Sequence, residues 1–153
     1  MVKQETKRFA QLDKNGMVNI VIDEEKVKEA YNDVRKDTSS TNWILLKYCD
    51  GEVRPEDRGD DFDALKTKVE ALERAFIYMR IAVGDEVSKR YKFVFVTWQR
   101  NPDAINVVER ARMSNDKQLL KNVITEFSVE IQLEDPSDLS LEYIGRAVQK
   151  NGA

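Results

Sequence analysis

The feature that most constrains the fold is an uninterrupted run of β-branched and aromatic residues in the second half of this 153-residue chain. Residues 91–98 read Tyr-Lys-Phe-Val-Phe-Val-Thr-Trp, and such residue types favour extended strands. Since alternate side chains of a strand point to opposite faces, Phe93 and Phe95 share one face. Val94 and Val96 share the other. Both faces are apolar, which predicts a central strand that is covered on both sides.

Hydrophobic periodicity and turn signals predict the other elements. Strands are expected over residues 17–22, 43–48, 75–83 and 129–133. Helices are expected over residues 24–35 and 62–72, and a last helix from the Asp-Pro-Ser sequence at 135–137 to about residue 149. Strands 75–83 and 91–98 are expected to form a hairpin at the centre of the sheet. Trp43 and Trp98 each lie at one end of an apolar strand and are predicted to be core residues.

A further helix is expected from Asn101-Pro102-Asp103 onward, with proline at its first position. It is predicted to be one long helix kinked near Met113, or two abutting helices with a second cap at Ser114 or Asn115. Its predicted core residues are Ile105, Val108, Ala111, Leu120, Val123, Ile124 and Phe127. Its predicted basic, solvent-facing stripe is Arg110, Ser114, Lys117, Lys121 and Thr125.

Residues 50–63 carry seven acidic side chains against Arg54 and Arg58. The simplest interpretation of this stretch is a solvated loop. Acidic residues in the first turn favour the helix dipole, so Asp60, Asp61 and Asp63 are interpreted as a helix start and not as catalytic carboxylates.

Composition excludes several classes of function. The chain has no histidine and one cysteine, which excludes His-dependent nucleophile sites, His-ligated metals and thiolate clusters. No Gly-x-Gly pair is present, so no dinucleotide-binding turn can be written. Composition does not exclude carboxylate-pair catalysis, but its one dense candidate is the acidic helix start at residues 60–63. We expect no enzyme activity, no cofactor and no metal. The lack of a membrane-length apolar run and of a signal-peptide core, together with a single cysteine, leads us to expect a cytosolic protein. We also expect it to be a monomer.

Charge is segregated along the chain. The net charge is −3, which does not favour binding to nucleic acid or to an anionic membrane. Between residues 88 and 121, however, eight cations stand against three acids, and no acidic partner for them is obvious nearby in sequence. An acidic protein that concentrates positive charge on one flank is suited to meeting an acidic surface.

Several sequence patterns along the chain resemble those of the coactosin-like proteins of the actin-depolymerising factor homology (ADF/cofilin) family. The matching patterns are Asp85-x-x-Ser88-Lys89-Arg90-x-Lys92-Phe93 with Trp98, Tyr31-x-x-Val34-Arg35, Asn42-Trp43, Lys47-Tyr48, Arg110-x-Arg112-Met113 and Asp116-Lys117-x-Leu119-x-Lys121-x-Val123. The similarity spans about residues 23–149, in order and with few gaps.

The resemblance implies an α/β fold in which a mixed sheet of about five strands lies between helices. It implies filamentous actin, whose exposed surface is acidic, as the partner. The actin-binding residues that it implies are Ser88, Lys89, Arg90, Lys92, Arg110, Arg112, Met113, Lys117 and Lys121. Residues 23–149 are expected to form one domain, with residues 1–22 as a partly flexible extension and 150–153 as a tail.

Two alternative functions have some support in the sequence. Cofilins bind actin monomers and sever filaments with an N-terminal segment that carries a regulatory serine, and residues 1–6 contain no serine. This favours filament-side binding with weak or no monomer binding and without strong severing. Residues 89–96 also resemble the RNA-stacking octamer of RNA-recognition domains, but Arg90 and Lys92 occupy both positions where that octamer has small residues.

Overall fold

The computed structural model describes residues 11–12, 18–19, 21–84, 87, 90–104 and 106–150. The strands are β1 (Gln11–Leu12), β2 (Val18–Asn19), β3 (Val21–Ile22), β4 (Trp43–Cys49), β5 (Glu52–Gly59), β6 (Arg74–Val83), β7 (Arg90–Gln99) and β8 (Val129–Leu133). The helices are α1 (Glu24–Arg35), α2 (Phe62–Glu70), α3 (Val107–Lys121) and α4 (Leu141–Lys150). Short 3₁₀ turns, Pro102–Ala104 and Pro136–Asp138, precede α3 and α4.

One mixed sheet organises the described part of the chain. Its strand order is β3-β5-β4-β6-β7-β8, in which the outermost pairs, β3 with β5 and β7 with β8, are parallel and the inner pairs are antiparallel. Five strands are long and β3 contributes two residues at one edge. Helices cover both faces, so the predicted fold class is confirmed.

The predicted central strand is β7. It pairs with β6 along ten residues and with β8 on its other side. Val94, Val96 and Trp98 belong to a core that α2 and α4 complete, whereas Phe95 belongs to a second core beneath α1 and α3. The apolar character of both faces therefore reflects two cores, one on each side of the sheet. Trp43 and Trp98 are both buried, as predicted.

Helix α1 forms where the sequence predicts it. Asp23 is the N-cap, and its side chain accepts a hydrogen bond from the Lys26 N–H. The residues at the predicted helical spacing, Val27, Ala30, Tyr31 and Val34, are all buried. The predicted strand over residues 17–22 corresponds to the short strands β2 and β3, with residues 17 and 20 outside the described part.

The solvated loop predicted over residues 50–63 is wrong, because β5 occupies most of it. The turn at Asp50 and Gly51, both with positive φ, joins β4 and β5 into a hairpin. Among the described residues, β3 pairs only with Glu52 and Val53, and no other strand pairs with the outer edge of β5 beyond them. Pro55 is compatible with β5 for this reason and because the register with β4 shifts here. Part of the charge that suggested solvent is paired in three clusters: Lys47 and Lys68 with Asp57, Arg54 with Glu52, and Arg58 with Glu29 and Asp33.

The predicted kink near Met113 and the second cap at Ser114 or Asn115 are also wrong. Helix α3 begins only at Val107, where the Asn106 side chain accepts a hydrogen bond from the Glu109 N–H at 2.8 Å, and it continues without a break to Lys121. The helical segments in this region are thus the 3₁₀ turn Pro102–Ala104 and α3 from Val107 onward. Residues 122–127 lie beyond the helix, although Val123, Ile124 and Phe127 still pack against the core beneath α1 and α3.

The last helix begins later than predicted. Asp135 caps the 3₁₀ turn through a 2.9 Å bond from the Ser137 N–H to its side chain, and α4 starts at Leu141. No helix in the described residues is long and apolar enough to cross a membrane. The domain limits at residues 23 and 149 remain a prediction: β3 already belongs to the main sheet, and residues 1–10, 13–17 and 151–153 lie outside the described part.

Candidate protein-binding surface

Helix α3 is held on the sheet by one face. Met113, Asp116 and Leu120 recur at spacings of three and four residues and are all buried. Met113 is 1% exposed, and its sulfur lies 3.2 Å from the Gln99 side-chain nitrogen, which donates a hydrogen bond to it. The structure therefore places Met113, one of the predicted site residues, in the core.

A buried carboxylate lies at the centre of this packed face. The Asp116 side chain accepts a 2.8 Å hydrogen bond from the Tyr48 hydroxyl, and the Arg74 guanidinium lies 4.6 Å from the Tyr48 ring centroid. Burial raises the pKa of Asp116, while the Tyr48 hydrogen bond and the charges of Arg112 and Arg74 oppose the rise. Burial, followed by the Asp116 charge and hydrogen bond, likewise raises the pKa of Tyr48. These contacts fix the rotation of α3 about its own axis.

The opposite face of α3 is exposed and partly apolar. Val108 and Leu119 are each 46% exposed, and Val107 is 70% exposed. Val108, Ala111, Asn115 and Leu119 follow one another at helical spacing and form one line on the solvent side, which we call the outer stripe. The prediction that Val108 and Ala111 belong to the core is therefore wrong, and Ile105 lies outside the described residues.

Cations flank the outer stripe on both sides. At 100° per residue, Arg112 lies on one side of the stripe and Arg110 lies on the other, together with Lys117 and Lys121. Arg110 is exposed and Arg112 half-buried, and neither forms an ion pair with a described residue.

Lys117 and Lys121 do have an acidic partner, contrary to the expectation from the local sequence. Their ammonium groups lie 3.0 and 2.7 Å from the two carboxylate oxygens of Glu130 on β8. Sequence proximity could not reveal this pair, because α3 and β8 are brought together by the crossover that makes β8 parallel to β7.

The remaining predicted site residues lie elsewhere. Arg90 and Lys92 begin β7, opposite Val83 and Ile81 of β6, whose side chains belong to the core that α2 and α4 cover. Since cross-strand partners share a face, these two cations project from the face of the sheet opposite to α3. Ser88 and Lys89 lie outside the described residues. The structure thus brings the α3 cations together but does not unite them with the start of β7 on one face.

The outer stripe is the feature that sequence reasoning missed. Asp116 occupies a core position, and an acidic residue there conceals the apolar periodicity of the buried face. A cap at Asn106, three residues before Glu109, was the available signal for the correct start of the helix. Within the described residues, no group of three or more Cys, Asp or Glu side chains is arranged to hold a metal ion.

Comparison with known proteins identifies the family. The family described as "Cofilin/tropomyosin-type actin-binding protein" matches residues 19–149. The coactosin-like protein of Rattus norvegicus is 34% identical over 131 residues, which cover 86% of this chain and 91% of the rat protein.

Solved structures agree with this assignment. A crystal structure of human coactosin-like protein superposes with a TM-score of 0.78 at 30% identity, covering 86% of this chain and 98% of the human one. The solution structure of mouse coactosin, described as an actin filament binding protein, gives a TM-score of 0.69 at 31% identity, covering 88% and 93% of the two chains. The fold, the sequence match and these relatives lead to one conclusion: the chain belongs to the cofilin/tropomyosin-type family of actin-binding proteins and is similar to its coactosin-like members.

Proposed function

We propose that this protein binds the side of actin filaments through the outer stripe of α3 and its flanking cations, and that it modulates filament dynamics in the cytoplasm as a monomer. The observation that carries the proposal is the exposed apolar line of α3, with Val108 and Leu119 each 46% exposed between cations. Binding, and not catalysis, is the proposed activity.

An exposed apolar line on a helix is suited to docking in a groove of a partner protein. Helix-in-groove recognition uses side chains at spacings of three, four and seven residues, and such interfaces combine an apolar centre with a polar rim. Val108, Ala111 and Leu119 supply the apolar centre here, and Arg110 and Arg112 supply a basic rim. The buried side of α3 anchors the helix to the sheet, so a rigid element presents the outer stripe to a partner.

Electrostatics favours an acidic partner at this surface. The protein as a whole carries a net charge of −3, so a partner that is itself acidic can be attracted only by a local positive region. Arg110 and Arg112 lie at such a region without an ion-pair partner among the described residues. Filamentous actin, which the family resemblance implies as the ligand, has an acidic surface and meets this requirement.

A filament also accounts better than a monomer for the separation of the predicted site residues. Arg90 and Lys92 are directed to the face of the sheet opposite to α3. Ser88 and Lys89, their neighbours in sequence, remain part of the proposed site. One flat partner surface cannot cover both faces, whereas two adjacent subunits of a filament can. Mouse coactosin, at 31% identity, is described as an actin filament binding protein, which supports the same choice.

The proposal also includes weak or absent severing. The similarity of the chain to coactosin-like proteins supports this part of the proposal. We expect labelled filaments observed by microscopy to keep their length distribution when the protein is added at a concentration that saturates them. Rapid fragmentation would assign the protein to the cofilin-like activity instead.

The experiment that tests the binding surface is co-sedimentation of α3 variants with filaments. Leu119→Ser removes the apolar centre and is expected to weaken binding about tenfold, which corresponds to about 1.4 kcal/mol, the scale of a central interface residue. Leu119 is exposed, so thermal unfolding should change little.

The cations are tested against a matched charge change. Arg110→Ala with Arg112→Ala should weaken pelleting severalfold. Lys26→Ala with Lys28→Ala removes the same charge from the exposed side of α1 and should leave pelleting near that of the parent. Equal losses in the two double variants would show that only net charge matters and would place the binding surface elsewhere.

A further inference from the structure

Glu130 joins two of the α3 cations to the body of the protein. Each of its carboxylate oxygens forms an ion pair with one ammonium group: Oε1 with that of Lys121 at 2.7 Å, and Oε2 with that of Lys117 at 3.0 Å. The two lysines are one helical turn apart on α3, and Glu130 faces them because it is the register partner of Phe95, whose side chain lies beneath α3. One acidic residue thus bridges two basic ones.

The cluster is partly shielded from water. The side chains of Lys117, Lys121 and Glu130 are 23%, 28% and 28% exposed, and the Lys121 ammonium also lies 5.8 Å from the centroid of the Phe127 ring. Burial raises the pKa of Glu130, but hydrogen bonds from Lys121 and Lys117 outweigh burial and lower the pKa overall. The carboxylate is therefore ionised at neutral pH, and half-buried pairs of this kind are screened less by salt than fully exposed pairs are.

The bridge changes what an incoming acidic surface meets. Arg110 and Arg112 are available to a partner, whereas Lys117 and Lys121 already hold a carboxylate and present a net charge of about +1 with it instead of +2. To engage either ammonium group directly, an acidic partner has to compete with Glu130. Competition from a bound carboxylate lowers affinity and weakens the salt dependence of association.

We propose that Glu130 is an internal competitor: it holds Lys117 and Lys121 against β8 and thereby limits the affinity of α3 for the acidic filament surface. This inference rests on the proposed function, because it assigns a regulating residue to the same binding surface. It implies that the interaction strength is set by an intramolecular contact, and that any change that removes the Glu130 charge strengthens filament binding.

Glu130→Gln is the direct test, with Glu134→Gln as its matched control. Both variants remove one negative charge, Glu130 from within β8 and Glu134 from the residue after it. Glu134, however, is exposed, and its side chain accepts a hydrogen bond from the Gln132 side chain. Glu130→Gln is expected to pellet with filaments about two- to fivefold more tightly than Glu134→Gln, a change typical of freeing exposed charge pairs. Adding Lys117→Ala and Lys121→Ala to Glu130→Gln should abolish the gain.

A second readout needs no actin. A water-soluble amine-acylating reagent, followed by peptide mass spectrometry, measures the reactivity of individual lysines. Lys117 and Lys121 should react at least about threefold faster in Glu130→Gln than in Glu134→Gln, while exposed Lys28 on α1 reacts equally in both. Glu130→Asp, whose shorter side chain can reach at most one of the lysines, should expose the other and keeps the test available if the glutamine variant unfolds.

The outcomes separate the two proposals. A parent protein that does not pellet with filaments overturns the proposed function. If the parent pellets while Glu130→Gln binds no more tightly than Glu134→Gln, the inference about Glu130 is overturned and the proposed function stands. Unchanged reactivity of Lys117 and Lys121 in both Glu130 variants also overturns it, because the lysines would then not be masked.

Discussion

Asp116 places a carboxylate in the core directly beneath the helix that carries the proposed binding surface. It is 2% exposed and bonded to the Tyr48 hydroxyl at 2.8 Å. An ionised group in this position opposes folding unless its partners compensate, and its raised pKa indicates that Tyr48, Arg112 and Arg74 compensate incompletely. Its role is to fix the orientation of α3, and its burial lowers the free energy of unfolding at neutral pH.

The sign of the pH dependence follows from this raised pKa. In the unfolded chain Asp116 titrates near 3.8, and in the folded protein it titrates higher, so the folded state retains the proton over a window above 3.8. The stabilisation linked to that proton is complete below the unfolded pKa and is lost as pH rises through the folded pKa. The Asp116→Asn variant has no ionisable group at this position, so its stability lacks this pH-dependent loss.

We expect the free energy of unfolding of Asp116→Asn, relative to the parent, to rise between pH 4 and neutrality and then to level off. The slope cannot exceed about 1.4 kcal/mol per pH unit, because a single proton is involved. Urea unfolding at several pH values measures it. A difference between the two proteins that does not vary with pH would mean that the pKa of Asp116 is not raised in the folded state.

At the scale of elements, substitution of two glycines by alanine tests the packing, because one substitution is expected to destabilise the fold and the other to stabilise it. A Cβ added to Gly59, at the end of β5, would lie 2.8 Å from the buried ring of Trp43, which itself is held by a 2.9 Å bond from its Nε1–H to the Asp61 carbonyl. A Cβ added to Gly145 in α4 would meet no atom within 4 Å.

Gly59→Ala should therefore destabilise the fold by about 1–3 kcal/mol through overpacking. Gly145→Ala should stabilise it by about 0.5–1 kcal/mol, because alanine loses less conformational freedom in a helix. Urea denaturation with unchanged slopes would give both values. A neutral Gly59→Ala would show that Trp43 can move away, contrary to its tight placement against β5.

The elements also show which parts of the structure can be predicted from local sequence. Helix α1 and strand β7 were predicted because cap, periodicity and burial agree within each segment. Strand β5 was missed because part of its charge is neutralised by partners distant in sequence, such as Arg58 with Glu29 and Asp33 on α1. In α3, Val108 and Ala111 were wrongly predicted to face the core, whereas Leu120 is buried as predicted. The error arises because Asp116 is buried against Tyr48, a contact that local periodicity does not encode.

The basic character of the candidate site can be predicted from the sequence, but the spatial arrangement of its cations cannot. The excess of cations between residues 88 and 121 is evident from the sequence alone. Their distribution over two faces of the sheet, and the bridge from Glu130 to Lys117 and Lys121, depend on strand register and on the crossover to β8. Tertiary pairing therefore decides which charges are available to a partner.

For the whole molecule, the main sheet and the family match define the unit expected to suffice for folding and binding. The match begins at residue 19, and β1 and β2 form a separate two-stranded sheet. Deleting residues 2–16 removes β1 and is expected to change the free energy of unfolding by less than about 0.5 kcal/mol and to leave filament affinity unaltered. Pelleting of the truncated protein at low salt is the measurement. A severalfold loss of affinity would instead assign a binding role to the N-terminal residues, whose cations Lys3, Lys7, Arg8 and Lys14 exceed their acids.

The most direct test of the central claim is co-sedimentation of the parent protein with actin filaments at low and at physiological ionic strength, about 0.15 M, beside the variant Arg110→Ala with Arg112→Ala. We predict saturable pelleting of the parent that weakens severalfold at the higher ionic strength, since screening reduces the attraction between exposed charges. The variant should bind more weakly and respond less to salt. Absence of pelleting, or an affinity and salt dependence equal in the two proteins, would contradict the assignment of α3 as the filament-binding surface.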